Sequence, residues 1–181
     1  MGTFFQQLLN GIQLGSIYAL IALGYTMVYG IVRLINFAHG DFFMIGAYAA
    51  YGFYYALGSI FGSVQPGGSY LVLFLLVVAG AMLAGGFAAV TANRVAYKPL
   101  RDKPRLSSLI TAIGVSMFIE YFFSALPVIG PSFRGFPEVF PKTIIKIGSA
   151  SVSNYVVIDV VVAAVLMIFL TLLVKFSKIG K

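Results

Sequence analysis

Apolar residues occur in five long runs, separated by clusters of Pro, Gly, Ser or basic residues. A helix needs about 20 mostly apolar residues to cross a bilayer, because the hydrocarbon core is roughly 30 Å thick and each residue rises about 1.5 Å. The pattern therefore predicts an all-α membrane protein with about five transmembrane helices. These cover approximately residues 8–30, 34–62, 70–92, 106–129 and 155–174.

The second run is too long for one straight crossing. Its 29 residues would reach about 43 Å as a helix, and the polar residues Asn36, His39 and Asp41 lie near its start. Lipid cannot satisfy free backbone amides, so irregular backbone at membrane depth must be covered by protein or water. We predict a re-entrant or broken segment near 33–41, inside the bundle and at its cytoplasmic mouth.

A polar loop, residues 130–154, follows the fourth run. Residues 143–147 and 150–155 are rich in β-branched side chains and flank Gly148 and Ser149, a pair suited to a tight two-residue turn. We predict a small external β-hairpin near residues 143–155.

Composition agrees with a membrane environment. Hydrophobic residues make up 60% of the 181 residues and charged residues only 9%, which is more apolar surface than a soluble fold of this size could bury. The first 32 residues contain no Lys or Arg, which argues against a cleaved secretory leader. Residues 1–181 are therefore predicted to form a single transmembrane domain.

The basic residues predict the topology, because short loops rich in Lys and Arg stay in the cytoplasm. Nine of the twelve fall on one side of the predicted membrane. They are Arg33, Arg94, Lys98, Arg101, Lys103, Arg105, Lys175, Lys178 and Lys181, against Arg134, Lys142 and Lys146 on the other side. With five crossings, the N-terminus is predicted outside and the C-terminus in the cytoplasm.

Several chemistries are not expected. The net charge of +7 comes mostly from clusters of basic residues beside apolar runs. We therefore expect the chain to contact membrane lipid and not to bind nucleic acid. The chain has no Cys and one His, too few ligands for a metal site. A phosphate-binding loop and an activated nucleophile are both absent, so we expect neither ATP hydrolysis nor enzymatic catalysis by this chain.

Glu120 lies in the middle of the fourth run, where an ionised acid costs about 2.5–3.5 kcal/mol on insertion scales. We therefore expect it to face other helices or a water-filled path, serving either as hydrogen-bonded packing or as part of that path. The small and polar stripe that contains it is Ser108, Ala112, Ser116, Glu120 and Ser124. Asp159, about one turn into the fifth run, is expected to reach the membrane interface.

Small residues recur four positions apart, which permits close helix packing in membranes. They are Gly11 and Gly15; Gly58 and Gly62; and Gly80, Ala84, Ala88 and Ala92. Ordinary bundle packing and a dedicated dimer face are both compatible with this spacing.

Two blocks carry a resemblance to a known family: GIQLGSIYALIALGYTMVYGIVRLINFAHGDFFMIGAY (11–48) and NRVAYKPLRDKPRLSSLITAIGVSMF (93–118). Together with the predicted hairpin and the terminal FSKIGK, they resemble the N-terminal portion of branched-chain amino acid permeases of ATP-binding-cassette (ABC) importers. Asn93 stands where that family usually has Glu, and Glu120 stands where an amide is common.

The resemblance implies an importer in the bacterial inner membrane. A second homologous permease would complete the pathway, two cytoplasmic ATP-binding subunits would use the ATP, and a periplasmic binding protein would deliver leucine, isoleucine or valine. Asn36, His39, Asp41 and Glu120 are the candidate pathway or gate residues. Related systems carry urea, short amides or other amino acids.

Family members continue beyond FSKIGK into a segment that engages the ATPase, so the chain resembles a truncated permease or fragment. The alternatives are a non-transporting membrane remnant or assembly partner, and an ion-coupled transporter or channel working alone.

Overall fold

The apolar runs fold as long helices. The computed structural model describes residues 2–32, 35–61, 69–100, 103–127, 129–130, 132, 135–136, 142–147 and 150–176. The helices are α1 (Gly2–Val32), α2 (His39–Phe61), α3 (Ser69–Ala92), α4 (Arg105–Ala125) and α5 (Asn154–Phe176). Two short strands, β1 (Ile144–Ile147) and β2 (Ala150–Ser153), lie between α4 and α5.

Among the described residues, four helical stretches are long and apolar enough to cross a membrane: Thr3–Gly30, Leu71–Leu100, Leu106–Ala125 and Asn154–Phe176. Helix α2 has 23 residues, enough for the hydrocarbon core, but four of them are Tyr and four are Gly, which makes it less apolar. The predicted all-α membrane class is confirmed. A bilayer crossing by α2 stays a prediction.

Two predicted boundaries are wrong. The fourth run was expected to remain helical to residue 129, but α4 ends at Ala125, because Leu126 precedes Pro127 and is extended (φ −72°, ψ 122°). Residues 93–105 were expected to form a loop. Instead the helix continues from α3 as a π-helical segment (Asn93–Tyr97) and a 3₁₀ turn (Lys98–Leu100).

One compact unit combines Met1–Arg33 with Pro141–Lys181. Helix α1 packs against α5, and β2 contacts both helices. The strands pair antiparallel, with Ile144 opposite Ser153 and Ile147 opposite Ala150. The predicted hairpin is thus confirmed, except that residues 154 and 155 belong to α5; the turn residues 148 and 149 lie outside the described residues.

Asn154 joins the hairpin to α5. Its backbone N–H donates to the Thr143 carbonyl at 3.0 Å, and its Oδ1 accepts from the Thr143 N–H at 3.1 Å. Both bonds are with Thr143, the residue before β1, so Asn154 closes the open end of the hairpin where α5 begins.

The other compact unit is Leu34–Phe140, in which α2 packs along α3. Close approach is made through glycine: a Cβ on Gly80 would lie 2.6 Å from Phe53 Cδ2, and one on Gly85 would lie 3.3 Å from the Phe42 carbonyl oxygen. Gly46 faces the Ala81 carbonyl, so α2 contributes to the same seam. This tight packing supplies the attraction that lipid does not provide.

The predicted small-residue series agrees with this packing only in part. Gly80 is buried, and Ala88 and Ala92 pack against the core of the unit. A Cβ on Gly11, Gly15 or Gly58 would meet nothing within 4 Å, and Gly62 lies outside the described residues. The seam glycines Gly46 and Gly85 were not predicted.

Candidate functional site

The polar residues before α2 form a tight turn. Asn36 Oδ1 accepts a 3.2 Å hydrogen bond from the Ala38 N–H, and the Asn36 carbonyl accepts one of 3.2 Å from the His39 N–H. Asn favours such turns because its side chain bonds the backbone two residues on. The predicted break near 33–41 is therefore confirmed, with α2 starting at His39. Its re-entrant position stays a prediction.

Tyr97 reaches this turn from the π-helical segment. Its hydroxyl donates a 3.0 Å hydrogen bond to Asn36 Oδ1, and both side chains are half-buried. The Asn36 oxygen therefore has two donors, one from its own turn and one from 61 residues away. Sequence reasoning missed this contact. The only available signal was a Tyr among basic residues at the predicted inner end of a span.

The π-helical geometry sets where Tyr97 points. The Lys98 N–H bonds to the Asn93 carbonyl, five residues back, in place of the four-residue step of an α-helix. Pro99 follows directly and has no N–H to donate, and its ring would clash with a carbonyl four residues earlier in an α-helix. The wider turn and the 3₁₀ turn after it accommodate the proline.

His39 and Asp41 lie in the first turn of α2, and both are partly buried. An acidic residue there is favoured, because the helix N-terminus carries partial positive charge. The Asp41 carboxylate also interacts electrostatically with Tyr97. The structure thus brings Asn36, Asp41 and Tyr97 into one polar group, with His39 between the first two in the chain.

An apolar cluster supports this polar group. Ala38 is completely buried and packs with Phe42 of α2 and Ile119 of α4. Ala88 and Ala92 of α3 pack against the same cluster. The turn therefore lies where α2, α3 and α4 meet.

Glu120 lies next to this junction but outside it. The neighbouring Ile119 is only 8% exposed, whereas Glu120 is exposed. Successive residues are turned by about 100° around a helix, and the packed face of α4 runs through Ala112, Ile119 and Phe123. Ile119 therefore occupies the packed face of this unit, and the expectation that Glu120 faces other helices or a water-filled path stays a prediction.

Two of the predicted cytoplasmic basic residues, Arg94 and Lys98, belong to the same helical stretch as Tyr97. Arg94, Lys98 and Lys103 are exposed. Arg101 lies outside the described residues, and Arg105 begins α4. The stretch between α3 and α4 therefore presents at least three exposed cations.

A second polar contact joins α1 and α5. Gln13 Nε2 donates a 2.6 Å hydrogen bond to Asp159 Oδ2, and both residues are partly buried. Sequence reasoning placed Asp159 at the membrane interface and gave Gln13 no role. Gln13 could have been singled out as an amide within a long apolar run.

An apolar groove of about 450 Å³ runs between α2 and α3. Gly46 and Gly85 lie on its lining beside Phe42, Val77 and Phe136. Within the described ranges, no group of three His, Cys, Asp or Glu side chains is arranged to hold a metal ion.

Long apolar helices, glycine-mediated packing and a polar turn at a helix junction define a multi-pass membrane protein. Residues 7–181 match the family described as "Branched-chain amino acid transport system / permease component". The chain belongs to this family.

Similar proteins include the high-affinity branched-chain amino acid transport system permease protein LivH of Escherichia coli K12, 38% identical over 191 residues. LivH of Salmonella typhimurium is 37% identical, and BraD of Pseudomonas aeruginosa is 36% identical over 184 residues. Each alignment covers 98% of this chain but only 57% of the relative. No solved structure was found to match the chain.

Proposed function

We propose that this chain forms part of the membrane-embedded permease of an ABC importer that moves branched-chain amino acids across the bacterial inner membrane. The family match over residues 7–181 carries the proposal. It is supported by relatives whose names state branched-chain amino acid transport.

Asn36, His39 and Asp41 act as a gate at the cytoplasmic end of the pathway. Their turn is held by Tyr97, which belongs to the helical stretch that runs on from α3. A transporter alternates between an outward-open and an inward-open conformation. A ligand shifts the equilibrium between them only if it interacts differently with the two conformations. The Tyr97–Asn36 hydrogen bond is a contact that would be present in one conformation and broken in the other. Glu120 lines the pathway where its exposed face meets other permease helices.

The partners follow from the class of transporter. Two cytoplasmic ATP-binding subunits supply the energy, a second homologous permease completes the pathway, and a periplasmic binding protein delivers substrate near the β1–β2 hairpin. The basic residues after α3 remain in the cytoplasm and the N-terminus lies outside. Residues 1–181 act as one transmembrane domain in this assembly.

Co-purification tests this assignment. A tagged chain is extracted from native membranes into nanodiscs, and the proteins bound to it are identified by mass spectrometry. We expect two ATP-binding subunits, a second permease and, with leucine present, a binding protein. Recovery of the chain without ATP-binding subunits under crosslinking conditions would contradict the proposal.

A further inference from the structure

The Gln13–Asp159 pair joins two apolar helices that are distant in sequence. Gln13 lies within Thr3–Gly30 and Asp159 within Asn154–Phe176, both long and apolar enough to span a membrane. The two residues are 146 positions apart, and the Gln13 amide donates to the Asp159 carboxyl group at 2.6 Å. Neither side chain is fully buried, so part of each polar group stays accessible.

The charge of Asp159 is not neutralised by this bond. Gln13 is neutral, and Asp159 is the sole acidic residue in the sequence of Met1–Arg33 and Pro141–Lys181, which form this compact unit. In the described part of the chain, the carboxylate accepts a hydrogen bond from the Gln13 amide. An acid within a membrane helix is costly to insert, and such residues mark ligand or ion paths.

We propose that Asp159 and Gln13 bind the primary ammonium group of the transported amino acid. The bond uses Asp159 Oδ2 and one Gln13 N–H. Within the described ranges, Asp159 Oδ1 and Gln13 Oε1 remain as acceptors, and a primary ammonium offers three donors. The ammonium would be the positively charged partner that the Asp159 carboxylate does not have in Gln13. This inference rests on the proposed function, because that function requires a ligand with a free amine.

The surroundings of the pair suit an aliphatic amine. Val156 and Val160 flank Asp159 along α5, and Ala163, one turn further on, is buried. A branched hydrocarbon side chain next to the ammonium would therefore lie beside apolar positions of α5, with Tyr155 one turn before Asp159. Asp159 is also only five residues beyond the start of α5, directly after the hairpin. In the predicted topology this is the side on which substrate arrives.

Two substitutions separate ammonium binding from helix packing. Asp159→Asn keeps an oxygen that accepts the Gln13 amide but removes the charge, whereas Asp159→Glu keeps the charge. If the pair only joins α1 to α5, Asn should serve as well as Asp. Thr171→Val, also on α5, is the matched control, because Thr171 is exposed and its hydroxyl donates to the Met167 carbonyl of its own helix.

The experiment measures binding to the 181-residue chain in phospholipid nanodiscs. The probes are L-leucine, 3-methylbutylamine (the amine without the carboxylate) and 4-methylpentanoate (the carboxylate without the amine). We expect the amine to displace labelled leucine and the acid not to. Asp159→Asn should weaken amine binding at least tenfold without lowering the thermal unfolding midpoint, while Asp159→Glu and Thr171→Val retain binding.

Amine binding within twofold of wild type in Asp159→Asn would overturn the proposal, and so would equal losses in the Asn and Glu variants. The proposal would also be overturned if metal ions or 4-methylpentanoate displaced the bound amine while leucine did not. Failure of the proposed function has a different signature: amine binding that depends on Asp159, with no leucine uptake by the assembled transporter. Leucine uptake that survives Asp159→Asn would instead reject the site and keep the function.

Discussion

The Tyr97 hydroxyl donates a 3.0 Å hydrogen bond to Asn36 Oδ1 and so links the π-helical segment after α3 to the turn before α2. The same Asn36 oxygen accepts the Ala38 N–H, and Ala38 is completely buried in the cluster below. One oxygen atom therefore connects the π-helical segment to the start of α2.

Tyr97→Phe removes this hydrogen bond and little else. We expect the loss of stability to be about 1 kcal/mol, because one donor disappears while the Ala38 N–H remains on Asn36. Leucine uptake by the assembled transporter should fall more than stability implies, since the gate turn loses its link to α3. Unfolding in detergent and uptake in proteoliposomes measure the two effects.

Tyr121→Phe is the matched control, with the same loss of a hydroxyl at a side chain that is 66% exposed on α4. It should leave both quantities unchanged. If Tyr97→Phe behaves like Tyr121→Phe in both assays, the link has no role in transport.

The Tyr97–Asn36 contact shows where sequence reasoning ended. Asn36 could be selected because a polar residue stands out in an apolar run. Its partner could not, because the direction of Tyr97 depends on a π turn that shifts every later side chain relative to an α-helix. By contrast, the end of α4 was predictable: Leu126 precedes Pro127, and that restriction alone places the boundary.

Gly85→Val should destabilise the α2–α3 seam. The first added carbon would lie 3.3 Å from the Phe42 carbonyl oxygen, which belongs to the backbone and cannot rotate away. We expect a loss of about 1–3 kcal/mol, the usual range for overpacking. Tyrosine fluorescence during unfolding reports it, since the chain has 11 Tyr and no Trp.

The next residue provides the control. A Cβ on Gly86 meets nothing within 4 Å, so Gly86→Val makes the same chemical change outside the seam. Equal unfolding midpoints for the two variants would show that α2 and α3 do not approach as described.

This seam also limits what spacing can predict. Small residues four apart mark surfaces that can pack, but the rotation of each helix decides which of them do. Gly80 packs against Phe53, whereas a Cβ on Gly58 would meet nothing within 4 Å. Gly46 and Gly85 approach each other although neither belongs to a predicted series of small residues four apart. The same rotation puts Ile119, rather than Glu120, on the packed face of α4.

Glu120→Leu should reduce uptake at least tenfold without lowering the unfolding midpoint of this chain. The side chain is exposed, so its removal breaks no described packing. Glu120→Asp keeps the carboxylate and should retain uptake. Uptake by Glu120→Leu equal to wild type would remove Glu120 from the pathway.

The topology can be tested by labelling, because the chain has no Cys. Single cysteines replace Lys98 and Lys142, both exposed. An impermeant maleimide should label Lys142→Cys in intact spheroplasts and Lys98→Cys only in inverted vesicles. The reversed pattern would contradict the predicted orientation.

ATP-driven leucine uptake tests the central claim most directly. Proteoliposomes contain this chain with the two ATP-binding subunits, the second permease and the binding protein, and labelled L-leucine is supplied outside. We predict accumulation that requires both ATP and this chain, and that leucine but not urea competes. Equal accumulation when this chain is omitted, or when ATP is replaced by a non-hydrolysable analogue, would contradict the account.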